Sequence, residues 1–348
     1  FHAVPLDPRS ARLRSVTGFL TGEALTLPYY RSADLARWVQ QTVAAQKIRK
    51  AVVFSGAMAQ YVRDIPGLHV VLDFVDVDSA KWTQYAANHS WPASFVYRRE
   101  GERLLRFERH ASASSAVSVF VTQAEAELFI HLAPESAESV HVVEMGVDTD
   151  FFASDVQRPS PFDVDETAIV FTGAMDYWPN IDAAVWFSND VLPLINRERP
   201  GIRFYVVGMN PSPVVKRLSS SSQVVVTGSV RDVRPYLQHA SVVVAPLRVA
   251  RGVQSKVLEA MSMGRPVVTS LAAARSVRGV LGRDLEAASD AEDYARRVIA
   301  LMRSSAGETL GRAARAQVIA EYNWDRNLAK FGHLLDDFHP GPAAERVS

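Results

Sequence analysis

The 348-residue chain predicts an α/β protein of two Rossmann-like domains, each a doubly wound parallel sheet, with a cleft between them. Three observations carry that prediction. Short β-branched runs alternate with helix-like stretches in both halves. The runs are continuously apolar rather than alternating, the pattern of strands covered on both faces. Several end in Gly or Pro, at the strand ends where such sheets bind ligands.

The second half has the clearer rhythm. Its strands read TAIVFTG (167–173), RFYVVG (203–208), QVVVTG (223–228), SVVVAP (241–246) and PVVTS (266–270). Helix-like segments fall between them at 179–195, 211–220, 232–239 and 254–263. In the first half AVVFS (51–55), HVVLDFV (69–75), AVSVFVT (116–122) and VHVVE (140–144) read as strands, with helices near 33–47, 79–89, 92–112 and 123–132. The first domain is expected over 1–150, a Pro- and acid-containing linker over 151–165, and the second domain over 166–322. A last helix over 323–338 is expected to pack back on the first domain, and 339–348 to be a disordered tail. Residues 1–30 lack the strand, Gly turn and helix that open a Rossmann-like domain. Either the first βαβ unit is absent from this chain or the domain is atypical. The chain begins at Phe1 rather than Met, which fits a fragment or a processed form.

Composition narrows the class. Lys plus Arg total 38 and so do Asp plus Glu, so net charge makes no case for nucleic acid. The chain has no cysteine, which excludes disulfides, thiolate metal sites and cysteine nucleophiles and fits a cytoplasmic, reducing compartment. No apolar run approaches the roughly 20 residues that span a bilayer.

The stretch RGVQSKVLEAMSMGRPVVTS (251–270) concentrates the chemistry. A helix starting near Gln254 presents unpaired N–H groups and the positive end of its dipole to an anion. Gly252 lets a ligand approach the backbone closely. Lys256 in the first turn and Arg251 just before it both reach that end, beside Ser255. Glu259 follows on the same side and can accept two hydroxyl hydrogen bonds, as a ribose would offer. The competing reading is an exposed i,i+3 ion pair between Lys256 and Glu259.

SVVVAPLRVARGVQSKVLEAMSMGRPVVTS resembles the donor-binding signature of glycosyltransferase family 4, the retaining GT-B enzymes. With FTGAMDYWPNIDAAVWF (171–187), RFYVVGMNPSP (203–213), VTGSVRDVRPYL (226–237), LTGEALTLPYY (20–30) and DFVDVDSAKWTQYA (73–86), the chain resembles sugar transferases of bacterial exopolysaccharide loci linked to exosortase systems. The resemblance covers most of the chain. It implies a nucleoside-diphosphate-sugar donor, a saccharide or lipid-linked saccharide acceptor, and neither metal nor other cofactor. In the family two glutamates eight positions apart bracket the segment. The second, on the ribose, matches Glu259, while Arg251 stands where the first usually touches the transferred sugar. The resemblance gives the diphosphate contacts to Lys256 and Arg251, places the Gly173 loop over the phosphates, and puts Val230, in the loop after VTG, at the base-binding edge. EMGVDTDFF (144–152) resembles the family's interdomain turn, with Met145 where Asn is usual.

Other residues are read more plainly. Asn180 follows Pro179 at a helix start, and Asp232 is expected to cap the next helix. Asp73, Asp76 and Asp78 crowd a strand's carboxyl end without a histidine to complete a metal site. Asp76 is the candidate for a catalytic, acceptor-side role, and Asp78 for a helix cap. YRREGERLLRFERH (97–110) is either a solvated basic helix or a peripheral contact with the inner membrane, through Leu104, Leu105 and Phe107. The rival functions are a GT-B nucleotide-sugar epimerase and a non-catalytic nucleotide-sugar binder. A dehydrogenase is disfavoured, since no strand is followed by GxGxxG.

Overall fold

A computed structural model describes residues 1–87, 89–250, 252–302 and 305–336. Arg251 and the expected tail 339–348 therefore lie outside the described residues. The chain divides into two compact units, one of Phe1–Glu144 with Leu328–Ser348, the other of Met145–Asn327.

The first unit holds four parallel strands in the order β1-β2-β3-β4: β1 (Lys50–Phe54), β2 (His69–Val75), β3 (Val117–Phe120) and β4 (Val140–Val142). Four helices precede the first strand: α1 (Pro8–Ser15), α2 (Thr17–Thr21), α3 (Thr26–Tyr30) and α4 (Ala33–Ala45). Residues 8–30 thus fold as three short helices, with the Asp7 carboxylate accepting from Ser10 N and Pro8 setting the first turn of α1. α5 (Asp78–Ala87), α6 (Ala93–Ala113) and α7 (Gln123–Leu132) follow the strands.

Helix α6 bears on the two readings of residues 97–110. Its Leu104 and Phe107 are buried, in one cluster with Val53, Leu72, Phe74 and Phe120. Its apolar side is core, so this helix does not offer those side chains to a membrane.

The second unit opens with β5 (Ala168–Thr172), α8 (Trp178–Trp186), α9 (Leu192–Glu198), β6 (Arg203–Val207), α10 (Pro213–Arg217), β7 (Val224–Gly228), α11 (Arg234–His239) and β8 (Val242–Ala245). It continues with α12 (Ser255–Ser262), β9 (Val267–Ser270), α13 (Leu271–Ala274), β10 (Glu286–Ala288), α14 (Ala291–Met302) and α15 (Ala306–Glu321). The six strands are parallel in the order β10-β9-β8-β5-β6-β7. Strand order reverses between β5 and β8, which makes that junction the switch point of the sheet. β5 shows why the strands read as unbroken apolar runs. Ile169 and Phe171 join the core with Ala183, Phe187 and Val298, while Ala168 and Val170 join the one with Val257, Met261 and Val318. Each face of the strand is covered by helices, so neither tolerates polar residues.

Residues 151–165 contain no helix or strand, yet they are anchored rather than loose. Phe152 and Phe162 pack on the second unit's core, and Asp155 N donates to Gln238 Oε1 at 2.9 Å. The last helix, α16 (Trp324–Asp336), supplies Phe331, Leu334 and Leu335 to a cluster with Val71, Val117, Val119 and Val143 of the first unit. Lys50 Nζ pairs with Asp336 at 3.1 Å in the same unit.

Candidate functional site

In the second unit a cavity of about 730 Å³ opens at the carboxyl ends of β5, β6 and β7. Its lining includes Gly173, Val230, Ser255, Lys256 and Glu259, which lie far apart in the sequence. Gly252 is buried beside this group with φ +63°, a left-handed conformation that suits glycine, but it is not part of the lining.

Two glycines shape the cavity floor. A Cβ on Gly208 would lie 1.7 Å from the Gly173 carbonyl oxygen, so the loops after β5 and β6 touch through backbone. Gly173 N donates to Val207 O at 3.0 Å, and Met175 N to Met209 O at 2.8 Å. A Cβ on Gly173 would meet Asn180 Nδ2 at 2.8 Å and Lys256 Cε at 3.3 Å. The absence of a side chain there is what lets Lys256 and Asn180 meet.

Lys256 Nζ donates to Asn180 Oδ1 at 3.0 Å, while Asn180 Nδ2 donates to Ala174 O at 2.9 Å. Asn180 is buried in the first turn of α8, behind Pro179. Its sequence position signals a helix start; its use as the anchor for Lys256 appears only in three dimensions. Burial pushes the Lys256 pKa down to about 8, with the charge of Glu259 working in the opposite direction. Burial likewise raises the Glu259 carboxyl above its ordinary value, and Lys256 opposes the rise. The Glu259 carboxylate forms no hydrogen bond or ion pair with another described residue. The two side chains interact through space, each leaving its polar atoms for something else. This differs from the surface ion pair that their spacing alone allows.

Further polar groups border the same space. α12 begins after Gln254 with no side-chain cap, so its first N–H groups are unclaimed by side chains. Thr172 lines the cavity with Oγ1 buried and without a hydrogen-bond partner. Ser255 is exposed, with its hydroxyl directed to Met145 Sδ at 3.8 Å. On the far wall Asp232 Oδ1 accepts from Arg234 N at 2.9 Å and its carboxylate pairs with the Arg234 guanidinium, which also lies 3.9 Å over the Phe151 ring. Asp232 thus caps from one residue before Val233, the residue at the helix boundary. A cavity lined by Lys256 and Arg231 beside the Asp232-paired Arg234, with the Glu259 carboxylate and an open helix end, suits an anionic ligand that also carries hydroxyls.

Asp76 belongs to the first unit and is not in this lining. It follows Val75, whose φ of +67° is strained for a β-branched residue. Asp76 Oδ2 pairs with Lys81 at 2.9 Å, and its Oδ1 is buried without a partner. Asp78 is the first residue of α5 and pairs with the same lysine at 3.0 Å, so it does not act as a cap. Burial works against the Lys81 charge, but Asp78 and Asp76 outweigh it and hold its pKa above the ordinary value. The acids converge on a lysine, and among the described residues no group of three or more His, Asp or Glu is placed to hold a metal. Among the described residues no helix is long and apolar enough to cross a membrane.

Residues 166–304 match the protein-family model described as glycosyl transferases group 1, a span that contains all but one of the residues lining the cavity. The fold resembles sucrose-phosphate synthase from Thermosynechococcus elongatus at 16% identity, covering 88% of this chain and 77% of that one with a TM-score of 0.69. It resembles HepE of Anabaena, solved in complex with UDP, at 14% identity over 87% and 82% of the two chains, TM-score 0.69. A UDP-forming α,α-trehalose-phosphate synthase from Burkholderia xenovorans aligns at 10% identity over 94% and 86%, TM-score 0.66. The sequence matches no curated protein significantly. At these identities the structural likeness carries the fold, which is GT-B, and the match to the glycosyl transferases group 1 model lies within the second unit.

Proposed function

We propose that the protein is a retaining glycosyltransferase that moves a sugar from a nucleoside-diphosphate sugar to an acceptor hydroxyl. The observation that carries this is the convergence of Lys256, Glu259, Gly173 and the uncapped start of α12 on one cavity at the switch point of the second sheet. The diphosphate lies against the helix end and Lys256, which neutralise charge on the leaving group as it develops. Glu259 accepts from the ribose hydroxyls, and the backbone around Val230 borders the base. The buried Thr172 hydroxyl, without a hydrogen-bond partner, borders the same space.

The sugar–phosphate bond breaks and a bond from the anomeric carbon to the acceptor oxygen forms on the same face. The acceptor proton passes to the departing diphosphate oxygen, so the step needs no protein base and no metal. Asp76 in the first unit is the proposed acceptor-side residue, its Oδ1 buried and without a hydrogen-bond partner.

The motifs across the chain support a saccharide or lipid-linked saccharide acceptor and a role in exopolysaccharide synthesis on the cytoplasmic face of the inner membrane. If the protein touches that membrane peripherally, the surface available is α1 and α2, where Leu13, Val16 and Leu20 are exposed beside Arg12 and Arg14.

Thermal shift against UDP-, GDP- and ADP-sugars, followed by transfer assays on cell-extract acceptors, tests the reading. One donor class raises the melting temperature and loses its sugar to an acceptor with retention at the anomeric carbon. Donor binding without transfer would favour a non-catalytic binder, and an epimerised sugar formed without acceptor would favour an epimerase.

A further inference from the structure

A second cavity, of about 500 Å³, lies at the opposite, amino ends of the same sheet. Thr167, Ser241 and Pro266, each just before β5, β8 and β9, border it. Its charged lining among the described residues is lopsided: Arg199, Arg265 and Arg312 against Glu308 alone. Glu308 pairs with Arg312 at 3.8 Å, and no ion pair joins a described carboxylate to Arg199 or Arg265.

Arg265 is the informative residue. It follows the carboxyl end of α12, and its guanidinium makes one long contact, Nη1 to Ala240 O at 3.4 Å. Its Nε is buried without a partner. Burial lowers its pKa, and among the described residues the opposing charge is Glu308, which lines the same cavity without pairing with it. A guanidinium held partly out of water without a carboxylate is costly, and an anion in the cavity would remove that cost. The first turn of α15, with Gly307 and Glu308 in the lining, adds a helix start at the same place.

We propose that this cavity binds a small phosphorylated sugar or polyol, with its phosphate on Arg265 and Arg199. Planar guanidinium forks match phosphate oxygens. The cavity is larger than a phosphate, and the hydroxyls of Thr167 and Ser241 and the Glu308 carboxylate suit a polyol. No aromatic ring lines it among the described residues, so a nucleobase has no stacking platform. The site is separate from the donor cavity and does not rest on the function proposed above.

The test is calorimetric titration of the full chain with inorganic phosphate and with glucose 6-phosphate, each repeated on Lys256→Ala so that the donor cavity does not contribute. Saturable single-site binding of glucose 6-phosphate survives Lys256→Ala, weakens about tenfold or more in Arg265→Gln and roughly threefold in the exposed Arg199→Ala. Adenosine monophosphate binds more weakly than glucose 6-phosphate. The proposal is overturned by no saturable binding of either probe to Lys256→Ala, or by binding that ignores both arginine variants. Tighter binding of adenosine monophosphate, or phosphate binding as tightly as the hexose phosphate, overturns the sugar assignment.

Discussion

The Lys256 ammonium and the Asn180 carboxamide, 76 residues apart in sequence, meet at 3.0 Å over a glycine that has no side chain to separate them. This contact holds the cation in the lining of the proposed donor cavity without neutralising it.

Lys256→Ala and Glu259→Ala should each lower turnover about 100-fold while the fold persists. The two differ in what they weaken. Lys256→Ala should reduce affinity for nucleoside diphosphates more than for nucleosides, and Glu259→Ala should reduce affinity for both. Steady-state kinetics and calorimetry on the pure variants check this, with circular dichroism to confirm folding. Wild-type rates in both would remove these residues from the site.

Asn180→Ala should act through Lys256 and not through the substrate. The expected result is a donor KM raised about five- to twentyfold with kcat less affected. A variant that loses kcat alone would assign Asn180 a direct role in the reaction.

Donor affinity should depend on the Lys256 proton. Its pKa of about 8 is depressed by burial, and a bound diphosphate raises it again. Binding therefore takes up a proton above that pH, so the donor Kd should rise as pH climbs from 8, by up to about tenfold per unit. Lys256→Gln should flatten that limb. In the free protein the sign is opposite: the unfolded lysine holds its proton to higher pH, so this residue's contribution to stability improves from about pH 8 upward.

Gly208→Ala should destabilise the second unit by about 2–4 kcal/mol and abolish donor binding, because the new methyl meets the Gly173 carbonyl at 1.7 Å and the φ of +152° is unsuited to alanine. Chemical denaturation and donor-induced thermal shift read both effects.

Glu108 should make the first unit lose stability as pH rises from the ordinary carboxylate range to about 8. It is buried against Ser79, accepting from its N at 3.0 Å, and burial raises its pKa to about 8. Its neutral form contributes stability that is fully present below the ordinary carboxylate range and is lost as pH rises through about 8. Glu108→Gln should remain stable from pH 7 to 9 and exceed the wild type there by about 1–3 kcal/mol, read from urea midpoints.

Much of this was legible in the sequence because parallel strands buried on both faces leave long apolar runs. β5 and β8 are fully buried and correspond to TAIVFTG and SVVVAP. β10 was not legible, since Glu286-Ala287-Ala288 has neither length nor β-branching. The glycines and the family resemblance of the Lys256–Glu259 segment pointed to the candidate cavity, but Asn180 and Thr172 did not, because their placement depends on which strand end lies beside α12. The basic helix left two readings open for a related reason: Leu104 and Phe107 between its arginines are core side chains, a fact set by α6 packing beside α5 and not by its charge pattern.

The return of α16 has a practical consequence for dissecting the molecule. Phe331, Leu334 and Leu335 roof the valines of β2, β3 and the segment after β4. Any expression boundary placed between the two units by a single cut would strip that roof away. A recombinant piece ending near Glu144 would carry a bare oily sheet into solution and clump, whereas fusing residues 324–336 back through a short tether should restore a tractable fragment.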